Sequence, residues 1–323
     1  MAIVRVSGAT KGTGRPAKPA KVGKIARAGQ RPPVDLTELS LPDAPSEPVL
    51  DLRRYITMLY GPPGVGKTTF LGSIPKLFVI ATEAGSKGMA IFQRSVATWP
   101  EFMRYVELIE AEPTRFNDVA VDTIDRLFDI CTEWVLQQLG TDALGKDSEG
   151  NQDRGASYTL LNTTIRDALQ RLYETGIGLW IISHSKDMTI KTRSGSTYDK
   201  LCCSLSDSKR NLVEAFCDFI FSVDFAKNSE GHEIRYMITS GDDRVTAKAR
   251  EIAGRTLPKY IELHKQGAYD HLRAVWNGES EGLDAKTLMP SKRLSKAGGA
   301  MLQTDYVEAR VRPKRKIIGK QGS

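Results

Sequence analysis

"YGPPGVGKTTF", residues 60–70, decides the fold. It follows a short apolar run, "YITMLY" (55–60), and opens a stretch that reads as a helix. Gly61, Gly66, Lys67 and Thr68 fit the spacing G-x-x-x-x-G-K-[ST]. Pro62, Pro63, Gly64 and Val65 lie between the two ends of that pattern. A loop of this kind lets backbone N–H groups curl around a phosphate, and the following helix N-terminus adds positive potential. Lys67 is placed to reach the β- and γ-phosphates, and the Thr68 hydroxyl to ligate Mg²⁺. Thr69 completes the binding stretch. A plain Gly-Pro turn before a helix does not explain Lys-Thr at this spacing. The expected ligands are Mg²⁺ and a nucleoside triphosphate, taken as ATP although no base-reading motif separates it from other triphosphates.

The next piece lies downstream, in "FNDVAVDTIDRL" (116–127). Val119, Ala120 and Val121 form a buried strand that delivers Asp122. A carboxylate there supplies the second Mg²⁺ contact, through water. The residue after it is Thr123, where many ATP-driven machines carry a Glu that activates water. Either the nucleotide is not hydrolysed, or the base comes from elsewhere. A candidate stands at the end of another strand, "KLFVIAT" (76–82), which runs into Glu83. In a parallel α/β sheet the carboxyl ends of the strands share one edge, where ligands bind. Glu83 there can orient the attacking water; its alternative is a surface or helix-capping role. Asp125 needs no more than a helix-start position favouring the dipole.

Strands alternate with helices around these motifs. "WPEFMRYVELIEA" (99–111), 123–140 and 157–176 have helical periodicity, with Gly140 ending the second. "IGLWIISH" (177–184), "DFIFSVDF" (218–225) and "HEIRYMIT" (232–239) read as strands, the last two joined by the turn "AKNSEG". Their apolar runs are continuous rather than alternating. That pattern predicts an α/β fold, a mostly parallel sheet sandwiched by helices.

"GPPGVGKTTF", "ATEAG", "VAVDTID" and "LWIISH", in that order, resemble the RecA-like branch of P-loop ATPases. The resemblance spans roughly residues 52–265 and includes the phage Sak-type single-strand annealing proteins. It implies a catalytic Glu after the second strand, here Glu83, and Ser or Thr after the magnesium Asp. The AAA+ branch writes Asp-Glu together, so Thr123 marks the RecA-like side. The resemblance also implies that His184, at a strand end, senses the γ-phosphate; a strand-end His satisfied by its neighbours is the alternative. The polar stretch after it, 186–210, has six Lys/Arg, three Asp and Tyr198. Read as a flexible loop, it is a candidate for tracking single-stranded DNA and stacking a base. Lys248 and Arg250 resemble the pair that RecA-like oligomers push into a neighbour's ATP site. They imply a ring or filament of identical subunits. A mobile solvated loop and an ordinary basic turn remain the alternatives for these two segments.

The 323 residues carry a net charge of +7, distributed unevenly. Residues 1–33 sum to +8 and 283–323 to +7, leaving 34–282 at −8. The expected division is a disordered basic arm (1–48), one RecA-like ATPase domain (49–282) and a disordered basic tail (283–323), both ends being candidates for polyanion contact. No apolar run is long enough for a membrane span or a secretory signal. Cys131, Cys202, Cys203 and Cys217 form no zinc pattern. Reduced thiols and a cytoplasmic location are expected, the host cytoplasm if the chain is phage-encoded. The function implied is ATP hydrolysis coupled to single-stranded DNA in recombination, annealing or replication. A protein remodeller of AAA+ type and a nucleotide-gated adaptor are the alternatives.

Overall fold

The computed structural model describes residues 40–85 and 87–290. The chain divides into Met1–Glu47 and Pro48–Ser323. Of the first unit, residues 40–47 are described, and they are irregular and exposed. The basic arm 1–33 and residues 291–323 of the basic tail lie outside the described residues.

In the second unit, β1 (Ile56–Gly61) leads into the short helix α1 (Lys67–Leu71). Then come β2 (Leu77–Ala81), β3 (Phe92–Ser95), α2 (Trp99–Ala111), β4 (Asp118–Asp122), α3 (Ile124–Leu139) and α4 (Ala156–Glu174). They are followed by β5 (Gly178–Lys191), β6 (Thr197–Cys203), α5 (Asp207–Phe216), β7 (Phe219–Lys227), β8 (Glu233–Ile238), β9 (Tyr260–Glu262), α6 (Ala268–Asn277) and β10 (Met289–Pro290).

The main sheet runs β3-β2-β4-β5-β1-β7-β8-β9. The first six of these strands are mutually parallel, and β8 and β9 add antiparallel pairs at the far side. All of β1, β2 and β4 is buried, as continuous apolar runs require when both faces are covered. One face packs on α2, α3 and α4 through residues such as Phe102, Phe128 and Ile165. The other packs on α1 and α6 through Phe70, Trp180, Tyr269 and Trp276. The mostly parallel sheet between helices is thus the fold that the sequence predicts, with β5 inserted between the phosphate-loop strand and the Asp122 strand.

Local chemistry fixes the helix ends. Thr98 and Glu101 form a reciprocal capping box at the start of α2. Thr123 caps α3, and Gly140 ends it at φ 64°, where only glycine is unstrained.

Two expectations are corrected. The stretch 186–210 is not a loop. β5 continues to Lys191 and returns as β6 in antiparallel register, from Ser185↔Cys203 to Lys191↔Thr197. Thr and Ile at 189, 190 and 197 favour extension, and Gly195, at φ 87°, supplies the tight turn. Residues from Asp207 onward belong to α5. The folded unit also does not stop at 282. Leu283 donates to the Tyr260 carbonyl, Leu288 is buried, and β10 pairs with β7. That segment lacks periodicity because a turn and a two-residue strand are too short to show any. All four cysteines are free and buried, and no described helix is long and apolar enough to cross a membrane.

Candidate nucleotide site

The carboxyl edge of the sheet brings the expected residues together. Gly61 ends β1 in register with His184 of β5, and Ala81 ends β2 in register with Asp122 of β4. The loop 62–66 then turns over this edge. Gly64 and Gly66 have φ of 76° and 101°, which L side chains rarely adopt. A Cβ on Gly61 would lie 2.5 Å from the Val223 carbonyl oxygen, so the loop can only seat here with glycine. α1 has five residues, so the loop amides and the first-turn N–H groups form one short run facing the same edge.

Lys67 is buried, and its Nζ donates to the carbonyls of Gly61 (2.7 Å) and Pro62 (3.1 Å). Burial lowers the ammonium pKa, and the carboxylates of Asp122, Asp125 and Glu83 oppose that shift. Asp122, also buried, has its carboxyl pKa raised by desolvation, which Lys67 counteracts. Thr68 Oγ1 stands 3.5 Å from Asp122 Oδ2. A hydroxyl and a carboxylate so placed are hard oxygen donors of the kind Mg²⁺ takes.

Glu83 extends from the end of β2 toward Asp122. Thr123 Oγ1 donates to Glu83 Oε1 at 2.7 Å, and Glu83 Oε2 lies 3.3 Å from His184 Nε2. Thr82 and Thr123 exchange two further bonds of 2.8 Å each, tying the ends of β2 and β4 together. Thr123 is therefore a holder for Glu83, and the Asp122–Thr123 peptide is cis. His184 Nδ1 is buried, with no hydrogen-bond partner among the described residues.

Asp125 has more to do than favour a dipole. Its carboxylate accepts from the His184 backbone N–H (3.3 Å) and from the Ser204 hydroxyl, and Ser204 N–H in turn bonds the His184 carbonyl at 2.8 Å. Both strands of the β5–β6 hairpin are thereby anchored beside Glu83. Nothing local in "DTID" signals this, because Ser204 joins it only through the hairpin that the sequence does not reveal.

The structure does not bring Lys248 and Arg250 to this site. Lys248 pairs with Ile220 near the start of β7, and its Nζ donates to the Glu214 carbonyl at 3.3 Å. Arg250 is paired with Asp218 at 3.2 Å. Both sit toward the amino edge of the parallel strands, away from their own phosphate loop. In the segment 186–210, three of the six cations are engaged within the fold. Lys186 bonds the Leu205 carbonyl, Lys209 lies over the Phe128 ring, and Arg210 is buried against Asp207. Lys191, Arg193 and Lys200 remain on the hairpin.

Loop, hydroxyl, paired carboxylates and a parallel sheet with an inserted strand define a P-loop nucleotide-binding ATPase with a RecA-like core. Residues 53–251 match the family AAA_24, described as an AAA domain, and the chain belongs to that family. No curated protein matches the sequence. Among solved structures, the RadB recombinase is similar at 15% identity, covering 66% of this chain and 89% of that one, with a TM-score of 0.36. A KaiC-like protein from the hyperthermophilic archaeon Pyrococcus horikoshii OT3 is similar at 13% identity, covering 66% and 88%, with a TM-score of 0.37.

Proposed function

We propose that the chain hydrolyses ATP with Glu83 as the base that activates water. The observation that carries this is the placement of the Glu83 carboxylate, fixed by Thr123 at 2.7 Å and facing His184 on the edge that holds Lys67 and Asp122. In this reading Gly61, Pro62, Pro63, Gly64, Val65, Gly66, Lys67, Thr68 and Thr69 wrap the phosphates. Lys67 exchanges its two loop carbonyls for phosphate oxygens. Thr68 and Asp122 hold Mg²⁺, which offsets charge on the phosphoryl oxygens when bound. His184, hydrogen-bonded to Glu83, reports loss of the terminal phosphate through its backbone link to Asp125. The test is phosphate release from Mg-ATP by the wild-type chain and by Glu83→Gln. Equal rates remove Glu83 from the chemistry.

The polymer acted on is single-stranded DNA, bound by the hairpin 185–203, in recombination, annealing or replication of phage type. Met188, Ile190, Tyr198 and Lys200 share one hairpin face and are half-buried outside the main core clusters. An aromatic and a cation on one face suit a base and its phosphate. The basic arms add a sequence-independent attraction. Lys248 and Arg250, at the amino edge, can serve an ATP site only in another copy. A head-to-tail contact of that kind builds a ring or a filament. Turnover measured with and without single-stranded DNA decides the DNA half of the reading; no binding at low salt sinks it.

A further inference from the structure

Arg235 has no role in the account so far. It stands on β8 opposite Phe225 of β7. A Cβ built on Gly66 would lie 3.0 Å from Arg235 Nη1 and 3.3 Å from its Cδ and Cζ, so the side chain rests against the phosphate loop. Arg235 is partly buried, and among the described residues no carboxylate or carbonyl accepts from its guanidinium. A half-desolvated cation with five donors and no acceptor is costly unless an anion arrives.

Topology says which part of the nucleotide that anion is. Glu83 follows β2, Asp122 ends β4 and His184 stands in β5 level with Gly61, all on one side of β1 in the sheet. β7 and β8, with Arg235, are on the other side. A terminal phosphate facing Glu83 leaves the rest of the nucleotide running over Gly66 toward β8. We propose that Arg235 binds the α-phosphate of the nucleotide, holding its nucleoside end across the loop from the reacting phosphate. This rests on the ATP reading above. Arg235 is then a ground-state binding residue, used equally by ATP and ADP.

Calorimetric titration of wild type, Arg235→Ala and Arg235→Lys with Mg-ATP and Mg-ADP, together with steady-state kinetics, tests it. Loss of a charge-assisted contact should weaken both nucleotides by the same factor, about 10- to 100-fold in Arg235→Ala. KM should rise by that factor with little change in kcat, the signature of uniform binding. Arg235→Lys should recover part of the affinity, since a point charge lacks the fork. If Arg235→Ala does not fold, Arg235→Lys carries the test by losing several-fold affinity for both nucleotides. Wild-type affinity in the variants overturns the proposal. So does a fall in kcat with ADP affinity intact, which would put Arg235 on the terminal phosphate. If the wild-type chain itself binds no nucleotide, the ATP reading falls and this inference with it. Binding by wild type and by Arg235→Ala alike refutes the inference alone.

Discussion

The two edges of the parallel sheet treat charge in opposite ways. At the amino edge, charges are mostly engaged within the chain: Arg250 pairs with Asp218, the Lys248 ammonium bonds the Glu214 carbonyl, and Asp118 accepts from the Trp180 indole through one oxygen, its other oxygen being buried without a partner among the described residues. At the carboxyl edge they are gathered but left for something else to match. Lys67 holds only loop carbonyls, Asp122 shares one long contact with Thr68, and Glu83 and His184 lean on each other. Backbone direction explains the difference. Loops leaving the carboxyl ends of parallel strands converge on one crevice, while the amino ends receive chain already committed to packing. An edge whose charges are engaged by the fold serves packing, even where one buried carboxylate costs stability, as at Asp118; an edge whose charges wait is built for a ligand.

The harshest way to break this comparison is to remove the waiting cation. Lys67→Ala should abolish turnover, by at least about 10³-fold, because among the described residues no other cation bonds the loop carbonyls of Gly61 and Pro62. Normal kinetics in this variant would refute the site. Glu83→Gln should follow, with turnover reduced about 10²–10³-fold and ATP affinity retained, since an amide cannot take the proton from water. Paired phosphate-release and binding measurements separate the two. Lys67→Ala should fail in both, Glu83→Gln in one.

The legible part of the molecule was the part with local signatures. Gly61 through Thr69, Asp122 and Glu83 declare themselves because each needs only its own strand end and its own spacing. The three long helices declare themselves by periodicity, and the second also by its end at Gly140. The hairpin 185–203 was hidden because Lys, Asp, Thr and Ser alternate with Met, Ile and Tyr on an exposed ribbon. That composition matches a solvated loop equally well. Asp125 and Ser204 were hidden for a different reason. Their meeting depends on β6 returning past β5, and Arg235 meets Gly66 only because β8 folds back beside β7. Contacts made by topology leave no mark on spacing.

Thr123 sharpens the comparison at smaller amplitude. Thr123→Val keeps the branched shape but removes the donor to Glu83. Turnover should fall about tenfold with ATP affinity unchanged, as expected when a base loses one orienting bond. Thr123→Ser should restore it. Because Thr123 also caps α3, the valine variant should lose about 1 kcal/mol of stability. A stability loss with no change in turnover would make Thr123 a cap and nothing more.

The amino edge should answer in stability and not in turnover, and Asp118 is the group to ask. Burial raises its carboxyl from 3.8 to about 6, against the indole hydrogen bond from Trp180 at 3.2 Å. In the unfolded chain the same carboxyl ionises at its ordinary value. Between pH 4 and about 6 the unfolded state therefore loses a proton that the native state keeps. The stabilising contribution is complete below the lower value and is lost as pH rises through the upper one. Asp118→Asn retains an acceptor for Trp180 and cannot ionise. It should be more stable than wild type at pH 7, by something on the order of 2 kcal/mol. The advantage should vanish toward pH 4. Denaturant titrations across that range measure it, and ATP turnover at pH 7 should not move. Buried Asp224, also raised to about 6, titrates in the same window, and burial raises Asp122, Glu214 and Asp187 as well, so a residual slope in Asp118→Asn belongs to these carboxyls together. A turnover change in Asp118→Asn would erase the division of labour between the two edges. A slope identical to wild type would take the pH dependence away from the amino edge altogether.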